Sequence, residues 1–450
     1  MQARTRATEV SDVAGGPAYA APNRRPLGSF ERAAAASGER YPFNLVVRLE
    51  LKGPDIRRAL RGALDEIQRR HPLLRARLVG SGSEAAFEVV EANPVPVAIA
   101  KRNASECWRD IVEDELVRGF DESPCPLMRC TYIPPADGRQ SADFVLTIHH
   151  AIGDGDSVSR LLQETLELAT GVDGTRIPSA VTSLPPCADD GFPPKLGGGL
   201  RRFPKDIGFF SRMLSSEIAV RSRGVGLRPR PAPSRSRNRI VSTALSREES
   251  RSIARAARHH RVTMTGLVEA AALLAVTRLR YAGTRLPHHF FVFPQLRASL
   301  RPSVPAAQLG AYFVAMRLTE TASGGDDIWD LATRCTRTIL ESVGRQERFL
   351  SSIWSPPLMR IATSQKRWRM ATTAVSYTGH IELGTPDVSV RRVHAFVTNP
   401  PIGPEYTAQV RLFRGRLWWD AVTLDVDMDE DEARSITEET RSILIEAPGS

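Results

Sequence analysis

Residues 143–169 constrain the fold more than any other stretch of the chain. From Phe144 to His150 apolar and polar positions alternate, with Phe144, Leu146, Ile148 and His150 on one face, the period of a β-strand. From Val158 the spacing changes: Val158, Leu161, Leu162, Thr165, Leu166 and Ala169 recur every three or four residues, the period of a helix. Only the short run from Ala151 to Ser157 separates them, so a strand turns sharply into a helix. A chain that does this is of mixed α/β class, and such a turn holds side chains at the edge of a sheet, where catalytic groups often lie.

The same alternation of patterns extends to both sides. Pro54 opens a helix marked by Ile56, Ala59, Leu60, Ala63, Leu64 and Ile67, which must stop before Pro72. Leu73–Val79 then reads as a strand and Cys107–Gly119 as a helix. Further on, Ser246-Arg247-Glu248-Glu249 is a capping box, and a second helix starts after Thr263 or Thr265. Strands are expected at His289–Pro294, Ala311–Leu318, Thr372–Tyr377, Ala408–Phe413 and Arg416–Leu424, and long helices at Asp326–Arg345 and Asp429–Glu446. Between the halves, Gly171 to Arg239 loses its periodicity among prolines, glycines and arginines. At 450 residues two domains are the natural division. We read 1–24 as a flexible lead-in, 25–184 as the first subdomain, 185–238 as a Pro/Arg-rich linker and 239–450 as the second subdomain.

Composition excludes several classes. A charged fraction of 25% beside 42% hydrophobic residues is that of a globular protein. The longest apolar run, near Leu267–Val276, is too short to span a bilayer and contains Glu269. Ala18-Tyr19-Ala20 imitates a cleavage site, but the residues before it lack an apolar segment, so no secretory signal is expected. The five cysteines, 107, 125, 130, 187 and 335, show neither paired nor zinc-like spacing. They read as reduced thiols of a cytoplasmic protein without a metal site. The net charge of +10 rests on 61 basic residues of which five are Lys, and no aromatic-and-basic array of the nucleic-acid-binding kind accompanies it. Its expected use is attraction of anionic partners.

Six of the nine histidines form three adjacent pairs. His259-His260 falls between two helices and His288-His289 at a strand entry; surface or strand-entry roles suit both. The third pair opens His149-His150-Ala151-Ile152-Gly153-Asp154-Gly155, at the strand-to-helix turn. Neutral imidazole takes up a proton near physiological pH, so a histidine held there suits general-base work.

The motif resembles the signature of the chloramphenicol acetyltransferase-like superfamily, which includes peptide condensation domains, polyketide-associated acyltransferases and alcohol acetyltransferases. The following Asp154, Gly155, Ser157, Leu161, Leu162 and Glu164 are similar to those members, and so is Arg70-His71-Pro72-Leu73-Leu74-Arg75-Ala76-Arg77. Leu296–Pro302 resembles the superfamily's Arg-containing strand end. Leu309-Gly310-Ala311-Tyr312-Phe313 resembles its Gly-x-aromatic segment, and Val375-Ser376-Tyr377-Thr378-Gly379 its Ser-Asn-x-Gly strand, each without the Asn found there in relatives. The Asp-Phe-Gly-Trp-Gly motif of plant members is absent.

The resemblance implies two α/β subdomains forming a V-shaped pseudo-dimer, with an active-site tunnel between them. It implies transfer of an acyl group from a thioester, acyl-coenzyme A or an acyl carrier protein, to an alcohol of a lipid or secondary metabolite. His150 would be the base and the attack direct, since no Ser elbow for an acyl-enzyme is present. His149, on the opposite face of its strand, would orient the turn. Asp154 would be a structural carboxylate paired with an Arg, for which Arg75 and Arg297 are both candidates. The Gly155 N–H and the Ser376 hydroxyl would support the oxyanion. No bound cofactor is expected beyond the thioester co-substrate, and a monomer suffices. Two other activities share the motif: amide formation with an amine acceptor, and carrier-protein recruitment without turnover.

Overall fold

The structure is a computed structural model that describes residues 23–38, 41–91, 93–102, 107–120, 126–135, 141–172, 183–196, 202–227, 236–365 and 367–449. Its first half runs β1 (Arg24–Pro26), α1 (Ser29–Gly38), β2 (Asn44–Lys52), α2 (Arg57–Arg70), β3 (Ala76–Val79), β4 (Ala86–Val89), β5 (Val97–Ile99), α3 (Cys107–Val117), β6 (Met128–Ile133), β7 (Ser141–His149) and α4 (Gly155–Ala169). After α5 (Phe203–Arg221) come β8 (Asn238–Ala244), α6 (Arg247–His259), α7 (Met264–Arg280), β9 (Leu286–Val292), β10 (Met316–Ala322), α8 (Ile328–Gly344) and α9 (Glu347–Ser364). The chain ends with β11 (Thr373–Ile381), β12 (Ser389–Val397), β13 (Tyr406–Phe413), β14 (Arg416–Leu424) and α10 (Glu430–Glu446).

Two large sheets carry the molecule. One has the order β12-β2-β7-β6-β5 and the other β10-β9-β11-β13-β14-β8, with a small sheet β1-β4-β3 beside them. α2 and α4 cover one face of the first large sheet, burying Leu60, Leu64, Ile67, Leu161, Leu162 and Leu166 against Leu45, Leu49, Phe144, Leu146 and Ile148. α6, α7 and α10 bury Ile253, Leu267, Leu274, Ile436 and Leu444 against Val375, Val410 and Trp419 of the second.

The sheets are not closed units of their own halves. β12, from the second half, pairs antiparallel along β2, from Ser389↔Lys52 to Val397↔Leu45. Asp420 of β14 fastens this crossing. Its carboxylate accepts from His394 Nδ1 (2.7 Å), the Ala395 N–H (3.0 Å), Ser242 Oγ (2.7 Å) and the Arg411 guanidinium. The cores are shared as well: Val46, Trp108 and Val145 pack with Ile240, Phe396 and Val422.

Several elements differ from expectation. Leu73–Val79 is not one strand: Pro72–Arg75 forms a 3-10 turn with Leu73 and Leu74 buried, and β3 begins at Ala76. The strand expected at Ala311–Leu318 begins at Met316. Within the stretch read as linker, α5 runs for 19 residues, with Pro204 in its first turn, where a missing N–H leaves no bond unmade. Its apolar residues lie on every side, so no helical period shows in the sequence. α9 continues through Pro356 and Pro357. His288 and His289 are buried, not on the surface; His288 bonds Thr372 Oγ1 (3.1 Å) and His289 bonds Thr319 Oγ1 (2.8 Å). Cys107, Cys130, Cys187 and Cys335 are free thiols, while Cys125 and nearly all of the lead-in lie outside the described residues. Among the described residues no group of His, Cys, Asp and Glu has the makings of a metal site. No single helix there is long and apolar enough to cross a membrane.

Candidate active site

β7 delivers the histidine pair to the point where the two lobes meet. His149 ends the strand, His150 opens the turn, and the chain bends back so that the Ile152 N–H donates to the His149 carbonyl (3.0 Å). Gly153 is packed so tightly that a Cβ would lie 2.7 Å from Ile148 Cδ1 and 3.1 Å from Val158 Cγ2. A larger residue there would have to displace the end of the Ile148 side chain.

Asp154 caps α4. Its carboxylate accepts from the Ser157 N–H (2.8 Å), and Ser157 Oγ accepts in return from the Asp154 N–H (3.1 Å). The same carboxylate reaches the second half: Arg297 Nη2 donates to both of its oxygens (3.1 and 2.9 Å) and the Tyr312 N–H to one (3.0 Å). Arg297 Nη1 is spent on the carbonyls of Pro305 (2.8 Å) and Gln308 (3.0 Å), and its guanidinium lies over the Tyr312 ring at 4.6 Å. All this is buried, so the pair acts as a structural rivet between the halves. Of the two expected partners the structure pairs Arg297 with Asp154; Arg75 lies in the 3-10 turn after α2.

His150 is 6% exposed. Its Nδ1 lies 2.8 Å from the Gly153 carbonyl. A carbonyl only accepts, so Nδ1 carries the proton and Nε2 is the lone-pair nitrogen. The ring stacks near-parallel with Phe43 and Phe313, at 5.1 and 4.9 Å between centroids, and meets the edge of Phe30 at 6.1 Å. This apolar setting lowers the imidazole pKa, against the opposing pull of the Gly153 carbonyl and Asp154. At neutral pH the ring is a neutral base.

His149 faces the other way, edge-on to Phe120 at 6.2 Å, and its Nδ1 accepts from the Ala151 N–H (3.2 Å). Burial, with His150 beside it, lowers its pKa to about 4. It holds the backbone of the turn.

From the second lobe β11 approaches the start of α4. Val375 and Tyr377 turn to the α7 core, while Ala374 packs with Phe291 on the opposite face. By strand alternation Ser376 and Thr378 share that opposite face. A Cβ on Gly155 would come 3.3 Å from Thr378 Cγ2. Gly155 is the first residue of α4, where N–H groups have no acceptor within the helix and the helix dipole is positive. A small cavity of about 40 Å³ opens here between the lobes, lined by Leu45 and Val47 of β2, Gly155, Val158 and Ser159 of α4, Thr378, Gln409 and Arg411.

Sequence reading missed Phe43, Phe313 and Thr378. Phe313 ends the Gly-x-aromatic segment, and Thr378 is one pleat along from Ser376, so both carried a signal. Phe43 carried none.

A pair of lobes sharing strands, with a histidine turn riveted across their junction, is the architecture of the chloramphenicol acetyltransferase-like fold. The chain superposes over 95% of its length on 98% of polyketide synthase associated protein 5 from Mycobacterium tuberculosis, with a TM-score of 0.66 at 18% identity. Against trichothecene 15-O-acetyltransferase TRI3 from Fusarium sporotrichioides the TM-score is 0.74 at 13% identity, over 94% of this chain and 95% of that one. A family model described as "Phthiocerol/phthiodiolone dimycocerosyl transferase C-terminus" matches residues 234–417, and the "Condensation domain" model matches residues 34–180. The chain thus has the chloramphenicol acetyltransferase-like fold, and its two halves separately match a condensation-domain model and the C-terminal model of an acyl transferase family. In sequence it is 30% identical over 136 residues to tyrocidine synthase 3 of Brevibacillus parabrevis and 29% identical over 142 residues to phosphinothricin tripeptide synthetase PhsC of Streptomyces viridochromogenes. These segments are about 30% of this chain but 2% and 13% of those far longer proteins.

Proposed function

We propose that this protein transfers an acyl group from a thioester, carried on coenzyme A or a carrier protein, to an alcohol of a lipid or secondary metabolite, with His150 as general base. One observation carries the reading: His150 Nδ1 is engaged by the Gly153 carbonyl, which leaves Nε2 as the basic nitrogen of a ring that burial keeps neutral. Nε2 takes the acceptor hydroxyl proton as its oxygen attacks the thioester carbonyl. The C–S bond then breaks, and the imidazolium returns the proton to the departing thiolate. The Gly155 N–H, with Ser376 or Thr378, supports the tetrahedral oxyanion. The cavity of about 40 Å³ beside Gly155 and Thr378, which His150 does not line, holds only a few water-sized groups.

The names of two relatives, an O-acetyltransferase and a dimycocerosyl transferase, support the alcohol as acceptor. The condensation-domain match over residues 34–180, which contain the histidine motif, favours an amine as the second reading, with the same base. Intact-mass assays with a panel of acyl thioesters and matched alcohol and amine acceptors decide between them. His150→Ala is expected to lower turnover by roughly 10²–10⁴-fold. Full turnover in that variant removes the mechanism. A wild-type chain that binds acyl carrier protein but never turns over is a recruitment domain instead.

A further inference from the structure

The cavity between the lobes has mainly aliphatic walls. Leu45 and Val47 of β2, Val158 and Leu162 of α4, and Val393 and Ala395 of β12 line it, and all but Ala395 are buried. Two of the polar side chains beside them are engaged elsewhere. Arg411 gives Nη1 to the Val393 carbonyl (2.8 Å) and the Asp420 carboxylate, and Nη2 to the carbonyls of Ala395 and Gln409 (3.3 Å each). Ser159 Oγ donates to the Gly155 carbonyl (2.7 Å). With its cation spent in this way, the recess has no counter-charge for an anionic group, whereas apolar groups find aliphatic contacts on several sides. Gly155 and Thr378 border the same space, and a Cβ on Gly155 would come 3.3 Å from Thr378 Cγ2.

We propose that this cavity receives the tail of the transferred acyl group and restricts it to a short, uncharged chain of up to about four carbons. The inference rests on the thioester reading and deepens it, by saying which part of the substrate goes here. Three groups meet at the carbon under attack: the incoming oxygen, the sulfur arm and the acyl tail. The incoming oxygen must lie at His150, and His150 does not line the cavity. The sulfur arm is a long polar pantetheine chain that has to lead out to coenzyme A or a carrier protein, and a small apolar recess cannot hold it. The tail is what remains. It is bonded to the carbonyl carbon whose oxygen the Gly155 N–H and Thr378 would support, so it starts where the cavity does. Size then sets its length. A volume of about 40 Å³, at roughly 10–15 Å³ for each water-sized group, has room for about three. The carbons beyond the carbonyl of a butyryl group fill it.

The test is calorimetric titration of the full chain with S-acyl pantetheines, which carry the part common to coenzyme A and carrier proteins. Affinity is expected to rise from acetyl to butyryl, reaching at least roughly tenfold over free pantetheine, and to fall again at octanoyl. Succinyl, as long as butyryl but charged at its tip, is expected to bind no better than acetyl. Ala395→Val narrows the cavity at a strand position that suits a β-branched side chain. It is expected to lose the gain from butyryl and keep that from acetyl, with unchanged circular dichroism. Leu162→Ala widens the cavity and is expected to move the optimum to longer tails. Affinity that keeps rising through octanoyl, or succinyl binding equal to butyryl, overturns the proposal from the wild type alone, whether or not the variants fold. An unchanged tail preference in folded Ala395→Val overturns it as well. Binding also separates the pocket from the base. The expected tail preference in a protein that never transfers the acyl group keeps the pocket and removes the role of His150. Pantetheine binding without any tail preference removes only the pocket, and binding of none of these compounds removes the pocket together with the thioester reading.

Discussion

On the proposed reading His150 is a general base, which must be unprotonated when it acts, and its burial favours that form. Its surroundings of Phe43, Phe313 and Phe30 are apolar, so the charged ring is disfavoured and its pKa lies below the usual histidine value. The acid limb of a kcat/KM–pH profile is therefore expected below about 6.5; a limb above that value would mean that another group supplies the base. Asp154 is a different kind of residue, since every oxygen bond it makes is to the cap, to Arg297 or to Tyr312. Asp154→Ala leaves Arg297 buried without its counter-charge and is expected to cost about 3–5 kcal/mol of stability. Urea denaturation of the two variants separates the roles. His150→Ala is expected to lose rate while remaining folded, and Asp154→Ala to lose rate because its fold has loosened.

Among the elements, β12 has the most unusual position, a strand of the second half lying at the edge of the first half's sheet. Its fastening is the Asp420 carboxylate, which joins β12, β13, β14 and β8 and which its cationic and hydroxyl neighbours hold well below the usual carboxylate range. Asp420→Ala strands the buried Arg411 and is expected to destabilise the protein by about 3–5 kcal/mol. In hydrogen exchange, β12 and the facing edge of β2 are expected to lose protection before the interior of β9–β11 does. Equal loss across both sheets would mean that the crossing is not a separate unit. None of this was legible in the sequence, because Ser389 finds Lys52 across more than three hundred residues and no local period encodes that pairing. By contrast, the strand-turn-helix from β7 to α4, the capping box at Ser246 and the long α8 and α10 were readable. Each rests on neighbours within a few positions along the chain. The site divides in the same way: the histidine pair and its turn are local. The choice of Arg297 over Arg75, and the aromatic wall from Phe43 and Phe313, required the fold. α5 was hidden for another reason, because a helix apolar on both its inner and outer faces shows no amphipathic stripe.

For the molecule as a whole, buried titratable groups set how stability follows pH, and their signs oppose. Burial lowers His149, His288 and His289 each from 6.5 to about 4. Each contributes stability that is present above about 6.5 and is lost as pH falls through 4, because the unfolded chain takes up the proton first. Glu269 runs the other way. It lies buried in the middle of α7, accepting from Thr373 Oγ1 and from the Val375 N–H (3.1 Å), and burial raises it from 4.5 to about 8. Its contribution is complete below about 4.5 and is lost as pH rises through 8. Between roughly 4.5 and 6.5 the protons taken up by the unfolded chain at His149, His288 and His289, joined by the likewise lowered His150 and His394, outnumber the one held by Glu269, so stability rises with pH. Above 6.5 only the Glu269 effect remains, and stability declines towards pH 8. The expected curve therefore peaks near pH 6.5, as chemical denaturation across a pH series would record. Glu269→Gln keeps a carbonyl for the Val375 N–H and an amide for Thr373 but cannot ionise. It is expected to flatten the decline between pH 6.5 and 8 while leaving the acid side steep. A variant curve that falls above pH 6.5 as steeply as the wild type would place the cause in some other group, and Glu269 would then be a neutral hydrogen-bonding partner of β11 throughout that range.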